Sequence, residues 1–309
     1  MIDLHCDTLS RLVNSAYSLQ RNPFHLDIER AREAGMTGQI FALFHYHRDY
    51  NVTLRVILEQ IAVFNSNLQG AVGAQTVMGY DGLRETVNRQ ELACILHLEG
   101  ADALGNDAAL WPLFHRLGVR SLGLTWNHNN AFAGGVLDAH PIGLSAAGRR
   151  LLDEMERLGS VLDLAHVAED SYYQALDYYC GPVMVSHANA RSRCNHPRNL
   201  DDRQFLALAE HEGIIGVNLV PAFVHSGLAN MSYLLDHIEY ICDLIGVQYV
   251  ALGSDFDGAD ELLLSGVEAC RNWASLLKGR GFSDPEISAI LHDNAYNFLT
   301  RAFLKKRDT

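Results

Sequence analysis

Two residues apart near the start of the chain, His5 and Asp7 in IDLHCD are both metal-ligand types. On an extended strand that spacing points both side chains to one side, where they can converge on a single ion. Such a pair also arises by chance at solvated strand ends. Glu99 closes HLEG behind an apolar run, a place from which a carboxylate can bridge two cations or cap the helix that follows. His166 ends LDLAH, His187 ends VMVSH, and Asp255 and Asp257 stand in GSDFDG. A lone histidine behind an apolar run is ordinarily a hydrogen-bonded core residue. Two at equivalent places on neighbouring strands, facing His5, Asp7 and Glu99, instead favour ligation, and the conjunction is far more specific than any member. Neutral imidazole and carboxylate suit zinc, and a bridging carboxylate suits a pair of zincs about 3.5–4 Å apart.

Residues this far apart in sequence meet only if a repeated element carries them to one place. Eight apolar, β-branched runs of strand length end in polar or turn residues: Ile2–Asp7, Gly38–Phe44, Leu92–Gly100, Arg120–Thr125, Ser160–His166, Pro182–Ala188, Gly213–Leu219 and Tyr249–Asp257. Segments of helical period separate them. In SAAGRRLLDEMERLG, for example, Leu151, Leu152, Met155 and Leu158 share a face. Strand then helix, eight times, predicts an α/β fold, a (β/α)8 TIM-like barrel occupying residues 1–309 as a single domain. The ligand types fall at the C-terminal ends of the strands, the end where barrel active sites form.

The long stretches NHNNAFAGGVLDAHPIGLS and HANARSRCNHPRNLDD follow the fourth and sixth strands, and are expected over the mouth. ADELLLSG reads as a surface excursion and Lys305–Thr309 as a frayed tail. His45 and His47 have ligand spacing but no carboxylate partner, and His97 reads as a packed, hydrogen-bonded interior residue. His115, His211, His237 and His292 fall in helical segments and read as structural.

Composition narrows the partners. A formal charge of −13, with the 24 Lys and Arg spread along the chain, argues against nucleic acid, which requires a basic surface. None of the six cysteines forms a CxxC pair and most lie in apolar stretches, so they read as reduced, buried thiols. The opening MIDLHCD is already strand, with no basic and apolar leader before it, and no apolar run is long enough to span a bilayer. A cytoplasmic protein acting on a small molecule, away from membranes and with a homodimer as the default assembly, is the expectation.

With these residues in view, the chain resembles the membrane (renal) dipeptidase family, the M19 metallopeptidases of the amidohydrolase-like barrels. DLHCDTL is similar to the family's His-x-Asp opening, HLEGADAL to its glutamate motif, LDLAHVAED and PVMVSHANAR to its histidine motifs, and GSDFDG to its late aspartate motif. The resemblance implies two zinc ions per chain, one held by His5 and Asp7, the other by His166 and His187, with Glu99 bridging both. It also implies Asp255 as the catalytic proton carrier and Arg198 as the group that grips the carboxylate of a dipeptide. In the family's mammalian members a histidine after the fourth strand contacts the substrate carbonyl. Here GLTWN puts Trp126 at that place, with His128 two residues on as a conceivable replacement in the substrate site.

The expected reaction is hydrolysis of a dipeptide by hydroxide held between the zincs. The rivals are a lactonase, deacylase or phosphoesterase using the same chemistry on another bond, and a non-catalytic homologue that binds metal and peptide without turnover.

Overall fold

The computed structural model describes residues 1–304, so the tail expected at Lys305–Thr309 lies outside the described residues. Among the described residues nine strands form in chain order: β1 (Ile2–Cys6), β2 (Gly38–Leu43), β3 (Ala74–Thr76), β4 (Leu92–Leu98), β5 (Val119–Gly123), β6 (Val161–Asp163), β7 (Val183–Ala188), β8 (Ile214–Val217) and β9 (Val250–Leu252). All pair in parallel, and the β2–β4 and β9–β1 ladders close eight of them, all but β3, into a barrel with helices between the strands. These eight are the strands expected from the sequence. The short β3 is not among them, because AQT carries too little apolar pattern to register. It pairs with Leu92–Cys94 at the start of β4, before β5 takes over that edge at Leu96.

Several strands end sooner than their apolar runs suggest. β6 stops at Asp163, three residues before His166, whose φ of 64° cannot continue a strand. Asp7, Glu99, His166 and Asp255 therefore sit just past their strands, whereas His5 and His187 lie in the last residues of β1 and β7.

Local sequence explains the helices. Ser145 caps Ala146–Leu158 by accepting the Gly148 N–H, and Gly159 ends it at φ 66°, a conformation that costs glycine nothing. Leu151, Leu152 and Met155 are buried as the periodicity requires, with Leu158 at the edge of the face.

The lower part of the barrel is filled by Ile2, Leu4, Ile40, Ala93, Ile95, Val161, Met184, Ile214 and Ala251, all near the starts of their strands. The helix Asn294–Leu304 adds Phe298, Leu299 and Phe303 to the same cluster. Burying each of the Ile, Leu, Val, Met and Phe side chains among these contributes about 1.5–3 kcal/mol. An apolar floor leaves polar side chains only the upper, C-terminal end of the barrel.

The ADELLLSG segment is irregular, as expected of an excursion, yet it is pinned by the Leu263 N–H to the Leu219 carbonyl and by buried Leu264. Four of the six cysteines are buried; Cys242 is half-buried and Cys180 is exposed, so the expectation of buried thiols fails at Cys180.

Candidate active site

Side chains alternate along a strand, so a one-residue slip sends the next side chain to the opposite face. In β1, Ile2 and Leu4 point into the barrel, and strict alternation would turn His5 outward. A bulge prevents this: Asp3 pairs with Gln39 but Cys6 with Phe41, three residues of β1 against two of β2. His5 and Asp7 thereby both face inward. The same device recurs in β7, where Val185 pairs with Ile215 but Ala188 with Val217, and His187 lies within the extra residue's reach. His166 and Asp255 are aimed differently, by left-handed backbone at φ 64° and 62°. Non-glycine residues hold that conformation only where the surroundings over-determine it, and such positions cluster at functional sites.

Five expected ligand residues and Asp255 come together. Glu99 sits between two groups and gives one oxygen to each. Its Oε1 lies 3.0 Å from His166 Nε2 and 3.7 Å from His187 Nε2, and its Oε2 lies 3.6 Å from His5 Nε2. His5 Nε2 is in turn 3.1 Å from Asp7 Oδ2 and 3.9 Å from Asp255 Oδ1. The ligand atoms of Glu99, His166 and His187 converge closely enough to hold one ion, as do those of His5, Asp7 and Glu99. A third, overlapping set joins His5, His187 and Asp255. All six side chains are buried.

Electrostatics suit a cation. Burial raises Glu99 well above the usual carboxylate range, and Asp7 beside it adds to the rise. Burial likewise raises Asp255, opposed by His5 and reinforced by Asp7. Burial pulls His5 down, but Glu99, Asp7 and Asp255 outweigh it and lift the imidazole to about 10. His166 and His187 are pushed the other way by burial, aided by nearby Arg198 and His5, and stay neutral. Neutral imidazoles beside crowded carboxylates are the donor set of a divalent metal site. Buried Asp7 Oδ1 and His5 Nδ1 have no hydrogen-bond partner among the described residues.

Neighbours orient the ligands. Asn127 Oδ1 lies 2.8 Å from His166 Nδ1, which fixes the proton there and leaves the Nε2 lone pair facing His187 Nε2 at 2.9 Å. Ser186 Oγ holds His187 Nδ1 at 2.7 Å. Asn218 donates to Asp255 Oδ2, leaving Oδ1 toward the metal-ligand cluster. Asp257 is used structurally, accepting from the Thr8 hydroxyl and the His25 N–H. Gly258 follows at a point where any Cβ would strike Asp7 and Asp255.

Above the cluster opens a pocket of about 430 Å³ whose lining includes Asp7, Glu99, Trp126, Arg198, Phe223 and Asp255. Arg198 is 4% exposed; its Nη2 donates to the His187 carbonyl while its Nε has no partner among the described residues. Trp126 is half-buried, packed on Phe44 and 6.1 Å from the His166 ring. His128 is exposed, lies against Tyr46 and Trp126, and is not among the lining residues. His45 and His47 stack on each other away from the lining, and His97 is packed inside the barrel against Ser121. Sequence reasoning missed Asn127, Ser186 and Asn218, for which hydrophobic pattern offers no signal. Asn127 and Ser186 do adjoin expected site residues.

A closed barrel with convergent histidines and carboxylates at its C-terminal mouth defines a metal-dependent hydrolase. The chain belongs to the membrane dipeptidase family, peptidase family M19, whose pattern matches residues 1–308. It is 28% identical to an uncharacterized dipeptidase of Schizosaccharomyces pombe over 92% of this chain and 74% of that protein. Among solved structures, a metallo peptidase from Rhodobacter sphaeroides, liganded with a phosphinate mimic of the dipeptide L-Ala-D-Ala, superposes with a TM-score of 0.91 at 27% identity. The match covers 97% of this chain and 98% of that one. A second, the M19 metallo peptidase dipeptidase AC, gives a TM-score of 0.90 at 28% identity over 98% of both chains.

Proposed function

We propose that the chain is a zinc-dependent dipeptidase holding two zinc ions, His5 and Asp7 on one, His166 and His187 on the other, and Glu99 on both. The observation that carries this reading is the division of Glu99's two oxygens between the two groups. When bound, the two zincs would polarise the scissile carbonyl and acidify water to near neutrality.

The chain's own groups supply the rest. Asp255 Oδ1 would take the proton from the attacking water and deliver it to the departing amine. Burial, which holds its carboxyl above the usual range, suits that task. Arg198 would hold the substrate's free carboxylate, since it is a buried guanidinium at the pocket with donor capacity to spare. Trp126, Phe44 and Leu137 offer apolar walls for the substrate's side chains, and the pocket volume suits a molecule of dipeptide size. His128 stands outside the lining, so replacement of the family's carbonyl-binding histidine by His128 has no support in the geometry.

The test is a panel of dipeptides, lactones and phosphoesters given to zinc-loaded protein. Release of amino acids from dipeptides alone is expected. Turnover of a lactone or phosphoester with dipeptides left intact would replace this reading, and dipeptide binding without cleavage would make the chain a binding homologue.

A further inference from the structure

We infer that Asp163 is a positioning residue that locks the His166 and His187 half of the metal centre, acting through the backbone without touching metal or substrate. The inference rests on the two-metal reading above.

Asp163 ends β6, is 1% exposed, and does not line the pocket. Its Oδ1 accepts the Ala165 N–H at 3.0 Å and the Ser186 N–H at 2.9 Å. These are the residues immediately before His166 and His187. Its Oδ2 lies 3.3 Å from Nε2 of His97, which stands two residues before Glu99 on β4. One buried carboxylate thus holds the residues adjoining two of the five proposed ligands and lies against a residue two before a third.

The fold makes such a group necessary. The last paired residues of the β6–β7 ladder are Asp163 and Met184. Beyond that point β6 gives way to the turn that sets His166 at φ 64°, and β7 enters the bulge that contains His187. Both chains leave regular pairing to aim their histidines, and both leave a buried N–H that must find an acceptor. Asp163 accepts both with one oxygen, so the two departures are tied to a common point. The side chain performs, at this place, the register-setting that the ladder performs elsewhere.

The role belongs to the acceptor oxygen rather than to the charge, which separates it from generic stabilisation. Asp163→Asn retains that oxygen and can turn its amide nitrogen toward His97; Asp163→Ala removes the clamp. The experiment titrates metal-free protein with Co2+, following its visible absorption, and measures each binding step by chelator competition.

Wild type is expected to bind two equivalents. Asp163→Ala should bind one of the two equivalents as wild type does and the other about 10–100-fold more weakly, the usual loss when a partner of a ligand is removed. Asp163→Asn should match wild type in both steps. Should Asp163→Ala not fold, Asp163→Ser, whose hydroxyl reaches only one of the two N–H groups, takes its place with the same expectation. Unchanged affinities in the Ala or Ser variant, or equal weakening of both steps, overturn the inference, as does an Asn variant as weak as Ala. Saturation of the wild type at one equivalent overturns the two-metal reading itself.

Discussion

Replacing Arg198 with alanine removes a buried cation from a pocket whose lining also carries the carboxylates of Asp7, Glu99, Asp255 and Asp257. Among the described residues the guanidinium donates one hydrogen bond, from Nη2 to the His187 carbonyl at 3.1 Å, and its carbon lies 5.6 Å from the Phe223 ring centre. Burial lowers it to about 10, so it remains charged at neutral pH. A buried cation with unused donors favours an anion from solvent, and the carboxylate of a dipeptide matches its fork. A charge-assisted contact of that kind contributes about 1.5–3 kcal/mol, which corresponds to roughly a 10- to 150-fold loss of kcat/KM for Arg198→Ala. The assay compares each dipeptide with its C-terminal amide, in wild type and variant, with zinc content measured in parallel. Wild type should disfavour the amide by a similar factor, the variant should lose that discrimination, and its zinc should be unchanged. Equal cleavage of free and amidated dipeptides by the wild type would refute the argument and weaken the dipeptidase reading with it.

Asp255→Asn should keep its metals and its Asn218 contact while turnover falls by about 100- to 10,000-fold, because its proposed task is proton transfer; a variant that loses a metal instead makes Asp255 a ligand. Burial lowers His97 from 6.5 to about 4 despite Asp163 nearby. Because the folded value is depressed, the stabilisation is complete above 6.5 and is lost as pH falls from 6.5 through about 4, a change of about 3 kcal/mol. Metal-free His97→Gln should therefore lose about that much less stability than metal-free wild type between pH 6.5 and 4 in urea denaturation. Parallel pH dependences in the two proteins would contradict a buried, neutral His97.

Much of this architecture is legible in the amino-acid sequence, for a physical reason. A parallel barrel strand is buried on both faces, so it appears as a dense apolar run, and the polar residue that ends each run marks the mouth. That logic places His5, Asp7, Glu99, His166, His187 and Asp255 at one end, and the structure brings all six together. The aim of those side chains is hidden. Spacing alone makes His5 and Asp7 share a face, but it gives no hint that Leu4 also points inward and that a bulge must intervene. The left-handed backbone at His166 and Asp255 is invisible too, since neither residue is glycine. Asp163 sits inside the LDLAH run and there reads as an interruption of a strand; its meaning depends on Ser186, 23 residues on. Trp126 and His128 show the limit from the other side, because a position's neighbours in sequence do not say which of two rings turns toward the pocket.

The central claim is that Glu99 joins two metals, and the count of metals per chain tests it most directly. Metal analysis of zinc-saturated, desalted protein should give two ions per wild-type chain. Glu99→Gln should lose metal and nearly all activity, since each cation forfeits a charged oxygen. A wild type that holds one ion per chain at saturation, or a Glu99→Gln variant that retains two, would contradict the account.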